Sequence, residues 1–208
     1  MNSSLKVLDN PVISNWLFNL RNKDSNNVVF RQAVDLLSQA VLLESALNFG
    51  SKQVFYETPV GQADGRVLDQ RFVIVSILRA GIGMVDPILK WLPDAQVYHL
   101  GATRNHDTLL PEFYYDKLPK SLSNFRCLVV DPMLATGGSA LESIRRLRKH
   151  GAAKIDFLGL IGSRPGVHNL HSEFPDVSIT LAALDDKLNE KGYINPGLGD
   201  AGDRFFNT

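Results

Sequence analysis

The stretch Val129-Val130-Asp131-Pro132-Met133-Leu134-Ala135-Thr136-Gly137-Gly138-Ser139 reads as the end of a buried strand feeding a small-residue loop that opens a helix. Upstream, Phe125 to Val130 is apolar and β-branched enough for a buried parallel strand. Downstream, Ala140 to His150 has helical spacing, with Leu141, Ile144 and Leu147 on one face and Gly151 as a stop. No side chain from Ala135 to Ser139 is bulky, so backbone N–H groups can close around a phosphate at the helix N-terminus, where the macrodipole favours negative charge. Thr136 and Ser139 add hydroxyl donors. Asp131 would repel a phosphate directly, but at the strand end it can accept hydrogen bonds from ribose hydroxyls. A Walker loop is excluded because Gly137-Gly138-Ser139 lacks the lysine, and the spaced glycines of a dinucleotide fingerprint are absent. A lone Gly-Gly would only turn the chain; with the acid, the hydroxyls and the strand-helix setting it reads as a ribose 5-phosphate site.

The same alternation extends outward. Phe72 to Leu78, Ala95 to Leu100, Phe125 to Val130, Ile155 to Ile161 and Val177 to Leu184 are short apolar runs separated by helical or loop segments. That pattern predicts an α/β fold with a mainly parallel central sheet flanked by helices. Val28 to Phe49 reads as a long helix whose broad apolar face suits burial against more than one surface, a second subunit included. Gln53 to Val60 and Gly65 to Leu68 read as a strand pair outside the main sheet. In such folds ligands bind beyond the carboxyl ends of the strands, so chemistry belongs in the loops after Leu78, Leu100, Val130, Ile161 and Leu184.

The chain has 208 residues, which suits one domain, 1–208. Lysine plus arginine and aspartate plus glutamate balance at 22 each, so no basic field argues for nucleic acid, and a small-molecule partner is expected. The single Cys127 sits in an apolar strand as a core residue, and one cysteine cannot form an intrachain disulfide, so a reducing, cytoplasmic setting is expected. No apolar run reaches the roughly 18 residues of a membrane helix, and Met1 to Asn10 does not read as a signal peptide.

Three further loops carry candidate chemistry. Arg79, in Ser76-Ile77-Leu78-Arg79-Ala80-Gly81-Ile82-Gly83, stands at a strand end among small residues and offers a planar fork of donors to a second phosphate group. Thr103 to Pro119 is polar at its start and aromatic in its middle, suiting a lid or an excursion onto another subunit, with Arg104 as its functional residue. His106 is expected to be solvent-exposed, and Tyr114-Tyr115 to anchor the excursion. Gly192 to Arg204 holds four glycines and a proline, so its backbone N–H and C=O groups can meet the edge of a planar ligand such as a pyrimidine. Asp200 and Asp203 would orient a ribose or a metal-bound diphosphate, or cap the turn and pair with Arg204. His168-Asn169-Leu170-His171 reads as surface.

Taken together, Ile77 to Met84, Arg104-Asn105, Asp131 to Ser139, Tyr193-Ile194 and Pro196 to Arg204 closely resemble the uracil phosphoribosyltransferases, over roughly Leu17 to Phe206. The resemblance implies a type I phosphoribosyltransferase fold with a small hood and an extended loop or arm. It also implies conversion of uracil and 5-phosphoribosyl 1-diphosphate to UMP and diphosphate with Mg²⁺. By motif position Arg79, Arg104, Asp131 and Asp200 would be catalytic. The same four, with Pro132, Met133, Leu134, Ala135, Thr136, Gly137, Gly138 and Ser139, would bind the donor, and Ile194, Gly199, Asp200 and Ala201 would bind uracil. Mg²⁺ would be held mainly by the donor diphosphate and water, without a dedicated protein site. A homodimer or homotetramer and a GTP effector are implied for the family. Asp131-Pro132, where many phosphoribosyltransferases carry two acids, supports the uracil branch, whereas Ser76, Thr103 and His106 depart from frequent choices there.

Two alternatives compete. A phosphoribosyltransferase for another base, such as orotate, would need a cation in the base pocket, and Arg204 is the candidate. A pyrimidine-responsive RNA-binding regulator would need a basic surface, for which Arg145-Arg146-Leu147-Arg148-Lys149-His150 is a local cluster, read here as a solvated helix face.

Overall fold

The computed structural model describes residues 5–104 and 111–208, with Thr103, Arg104 and Pro111 described in backbone only. The chain opens with a three-residue strand β1 (Leu5–Val7) and helix α1 (Pro11–Arg21), a stretch the sequence pattern leaves unassigned. The Asn10 side chain accepts from Val12 N and Ile13 N, both at 3.0 Å, and Pro11 opens the helix with its φ already set. Asn26 caps α2 (Asn27–Ala46) in the same way through Val29 N. One stripe of α2, carrying Phe30, Val34, Leu37 and Val41, is buried.

Strands β2 (Ser51–Thr58) and β3 (Gly61–Leu68) form an isolated antiparallel hairpin, as the sequence predicts. The central sheet then begins with β4 (Arg71–Leu78). A 3-10 turn over Ala80–Met84 and the short helix α3 (Val85–Leu89) lead to β5 (Gln96–Arg104). The excursion expected after Leu100 is in part regular: Pro111–Asp116 is a strand, β6, that returns antiparallel to β5. Next come β7 (Phe125–Val130), the two-residue strand β8 (Met133–Leu134) and helix α4 (Gly138–Lys149). β9 (Lys154–Ser163), α5 (Arg164–Glu173) and β10 (Ser178–Asp185) follow. A small hairpin of β11 (Lys187–Leu188) and β12 (Ile194–Asn195) and the helix α6 (Ala201–Phe206) end the chain.

The sheet order is β1-β10-β9-β7-β4-β5-β6, parallel throughout except β6, with β8 adding to β9. Both faces are covered. Along β4, Phe72 and Ile74 enter the core under α1, α2 and α3, while Val73, Val75 and Ile77 enter the core under α4 and α5. Burial on both faces is why these strands read as continuous apolar runs. Cys127 lies wholly inside, and burial pushes its thiol up to about 12, which suits a core residue and not a nucleophile. No described helix is long and apolar enough to cross a membrane. The parallel order puts the loops after β4, β7, β9 and β10 on one edge of the sheet.

Candidate active site

The loop after β7 encloses a small cavity at the N-terminus of α4. The Asp131 carboxylate accepts from Met133 N at 3.1 Å, turning the chain so that β8 can pair with β9. Pro132 is buried, and its carbonyl accepts from Leu160 N and Ile161 N, so it anchors the loop to β9 rather than facing the cavity. Gly137 has φ +84°, a left-handed conformation that glycine adopts freely, and it stands at the N-terminus of α4 without a side-chain cap. The cavity enclosed by Asp131, Met133 to Ser139 and Ala140 holds about 60 Å³, against the roughly 10–15 Å³ a single water requires. Open amides, a helix N-terminus and hydroxyls in a space of that size suit a phosphate.

The cradle leans on α5. Ser163 Oγ donates to the Ala135 carbonyl at 2.6 Å and accepts from Gly166 N at 3.0 Å, while Asn169 Nδ2 donates to the Thr136 carbonyl at 3.0 Å. Gly166 packs so closely that a Cβ would stand 2.3 Å from the Ala135 carbonyl oxygen. Sequence reasoning missed these three supports. Ser163 capping a helix that begins Arg164-Pro165-Gly166, just after a predicted strand, was the available signal.

Arg79 follows β4 through a cis Leu78–Arg79 peptide, and its Nη2 donates to Asp203 at 2.8 Å. Asp200 caps α6 by accepting from Asp203 N at 2.9 Å. The Asp131 carboxyl is pushed up to about 7 chiefly by burial, held down in part by the Met133 N–H and raised again by the charge of Asp200. The loop after β4, the phosphate loop and the C-terminal glycine-rich loop therefore share one mouth. Arg104 ends β5 on the same edge, but its side chain, Asn105 and His106 lie outside the described residues.

In the C-terminal loop Ile194 is buried, whereas Gly199 and Asp200 are exposed. Gly199 has φ +84° and open space where a side chain would stand. Gly197 is clamped: its N–H donates to Asp185 and its carbonyl accepts from Arg21, while Arg21 also holds Asp185 bidentately at 2.7 and 2.8 Å. Arg204 donates to the carbonyls of Leu20, Leu198 and Asn22 and stacks on Phe30. The two acids do not pair with Arg204, whose guanidinium is engaged by three backbone carbonyls.

The remaining motifs fall elsewhere. His168 is exposed, and His171 Nε2 lies 3.2 Å from the Val177 carbonyl. Arg145, Arg146 and Arg148 all pair with acids, among them Glu173, Asp116 and Asp176. Two larger cavities, of about 510 and 460 Å³, open by Gln70, Arg71 and Phe125 at the amino-terminal edge of the sheet, opposite these loops. Among the described residues no cluster of three or more His, Cys, Asp or Glu could hold a metal.

A parallel sheet with a strand, anion loop and helix at its carboxyl edge places the chain among phosphoribosyltransferase folds. The hypoxanthine phosphoribosyltransferase of Trypanosoma cruzi superposes with a TM-score of 0.52 at 10% identity, covering 76% of this chain and 75% of that one. A solved protein of Aquifex aeolicus superposes with a TM-score of 0.91 at 32% identity over 97% of each chain. The family model described as uracil phosphoribosyltransferase matches residues 7–208, and the uracil phosphoribosyltransferase of Roseiflexus sp. strain RS-1 is 48% identical over 206 residues, 99% of each chain. The chain belongs to the uracil phosphoribosyltransferase family.

Proposed function

We propose that this chain transfers the phosphoribosyl group of 5-phosphoribosyl 1-diphosphate to N1 of uracil, giving UMP and diphosphate, as in pyrimidine salvage. Beyond family membership, the observation that carries the reading is the shared mouth of the phosphate cradle and the glycine-rich C-terminal loop. The bond from ribose C1 to the diphosphate oxygen breaks, the bond to uracil N1 forms, and the N1 proton passes to the released diphosphate or to solvent. Positive charge builds on the ribose and negative charge on the leaving diphosphate, so the site needs cations on one side and acceptors on the other.

In this reading Arg79 and Arg104 grip the diphosphate, Asp131 accepts from the ribose hydroxyls, and Pro132 to Ser139 form the 5-phosphate loop. Ile194 and Gly199 to Ala201 present backbone groups to uracil, with Asp200 beside the donor. A buried backbone edge discriminates because a base lacking the matching donor or acceptor leaves it unpaired, at about 1–3 kcal/mol per group. A divalent cation would be carried in by the donor diphosphate and water, and the carboxylates of Asp131 and Asp200 would be the acids available to it at the mouth of the site. Bound there, Mg²⁺ would neutralise charge on the leaving diphosphate.

The chain acts as a homo-oligomer in this reading. Support comes from the β2–β3 hairpin, which stands off the sheet with Phe55 81% and Val60 98% exposed. Sedimentation would give the state directly.

The deciding assay is UMP formation from uracil, donor and Mg²⁺, with orotate, cytosine, hypoxanthine and adenine in parallel and GTP added to a second set. Turnover with uracil alone is expected. Turnover with another base, or with none, would overturn the assignment.

A further inference from the structure

Arg79 has a fixed partner that none of the expected roles uses. Its Nη2 donates to Asp203 Oδ1 at 2.8 Å although both side chains are about half exposed, at 56% and 52%. An exposed arginine on its own samples many rotamers, and an ion pair in water is too weak to restrain it unless the partner is itself immobile. Asp203 is immobile. Its N–H is taken by Asp200, and its carbonyl accepts from Asn207 N and Thr208 N. The helix that carries it is tied to the body by Arg204 and, at the Phe205 carbonyl, by Asn27 Nδ2 and Arg31 Nε. The Phe205 ring fills the space over Gly83, where a Cβ would lie 2.6 Å from it, so α6 also rests on the 3-10 turn that follows Arg79. The guanidinium lies 5.9 Å from the Phe206 ring.

We propose that Asp203 is a positioning residue that holds the Arg79 guanidinium ready for the donor diphosphate. One guanidinium nitrogen is engaged by Asp203, and the fork retains N–H donors for an anion. Pre-orienting the fork removes part of the ordering cost when the donor binds.

This inference rests on the reading of Arg79 as a donor-binding residue, and the experiment separates the two. Donor KM, uracil KM and kcat are measured for Asp203→Asn, Arg79→Gln and the double variant, with Asp203→Ala as a second probe and a thermal melt for each. We expect Asp203→Asn to raise donor KM about threefold to tenfold with kcat within about twofold and uracil KM unchanged. In the Arg79→Gln background the same substitution should add nothing. If Arg79→Gln raises donor KM and Asp203→Asn does not, the positioning role is overturned while the assignment of Arg79 stands. A lower donor KM in Asp203→Asn would make Asp203 a competitor of the donor and overturn the proposal. Equal effects of Asp203→Asn in both backgrounds would also overturn it, since the effect would not pass through Arg79. An unchanged donor KM in Arg79→Gln would instead remove the donor-binding assignment.

Discussion

Gly166→Ala tests the phosphate cradle from outside it, because the added carbon points at backbone and no rotamer change can relieve the clash. The methyl carbon would stand 2.3 Å from the Ala135 carbonyl oxygen and 2.7 Å from that of Leu134, where real Cβ contacts keep beyond 3.0 Å. The loop and α5 must therefore part by about 0.7 Å, the difference between 2.3 and 3.0 Å. Parting stretches both bonds made by Ser163 Oγ, which bridges the Ala135 carbonyl and Gly166 N. Overpacking of this kind costs about 1–3 kcal/mol, less than the roughly 5–15 kcal/mol by which domains are stable, so the variant should fold with a lowered thermal midpoint. Catalysis should suffer more. A displacement of about 1 Å can cost roughly 100-fold, so donor kcat/KM should fall by about tenfold to a hundredfold. Uracil KM should barely change, because that loop is clamped separately by Arg21 and Asp185. Initial rates with the donor varied at saturating uracil, beside a circular-dichroism melt, give both quantities. A folded variant with unchanged donor kcat/KM would refute the view that this loop seats the donor's phosphate.

Three other substitutions probe separate parts of the site and scaffold. Burial raises the Asp131 carboxyl from 3.8 to about 7, so the fold favours its neutral form; the stability this adds is complete below 3.8 and lost as the pH rises to about 7. Asp131→Asn should therefore lose less stability than the parent between those pH values. The parent's donor affinity should tighten through about pH 7 in a way the variant's does not, and parallel profiles would remove Asp131 from the ribose contact. Asp185→Asn weakens the bidentate Arg21 pair and the acceptor of Gly197 N; uracil KM should rise several-fold in steady-state assays while donor KM holds, and a uniform loss of both would mean general loosening. Arg126→Ala strands the buried Asp156 carboxylate, now held by two guanidinium bonds of 2.5 and 2.7 Å, and should cost about 3–5 kcal/mol in urea unfolding. Because that pair lies at the far edge of the sheet, kcat in the folded fraction should stay near the parent's.

What could be read in the sequence was what neighbouring residues decide among themselves. The apolar runs of β4, β7, β9 and β10 announced strands buried on both faces, and the small residues from Ala135 to Ser139 announced a tight loop opening a helix, because each pattern is contained in a dozen consecutive residues. β1 was invisible: three residues at a sheet edge carry no period. The supports of the site were invisible for a different reason. Arg21 meets Asp185 across 164 residues and Arg79 meets Asp203 across 124, and nothing in either local pattern names its partner. Arg204 shows the ambiguity most plainly. A guanidinium near a glycine-rich loop reads equally well as a cation for a ligand and as a clamp for carbonyls, and only the placement of the Leu20, Asn22 and Leu198 carbonyls decides for the clamp. That outcome bears on specificity. A loop whose Gly197 and Leu198 carbonyls are already held by Arg21 and Arg204 is stiffened from behind, so the exposed backbone at Gly199 and Asp200 can act as a fixed template. A segment that looks like a loose glycine-rich tail in one dimension thereby gains the rigidity that discrimination by backbone groups requires.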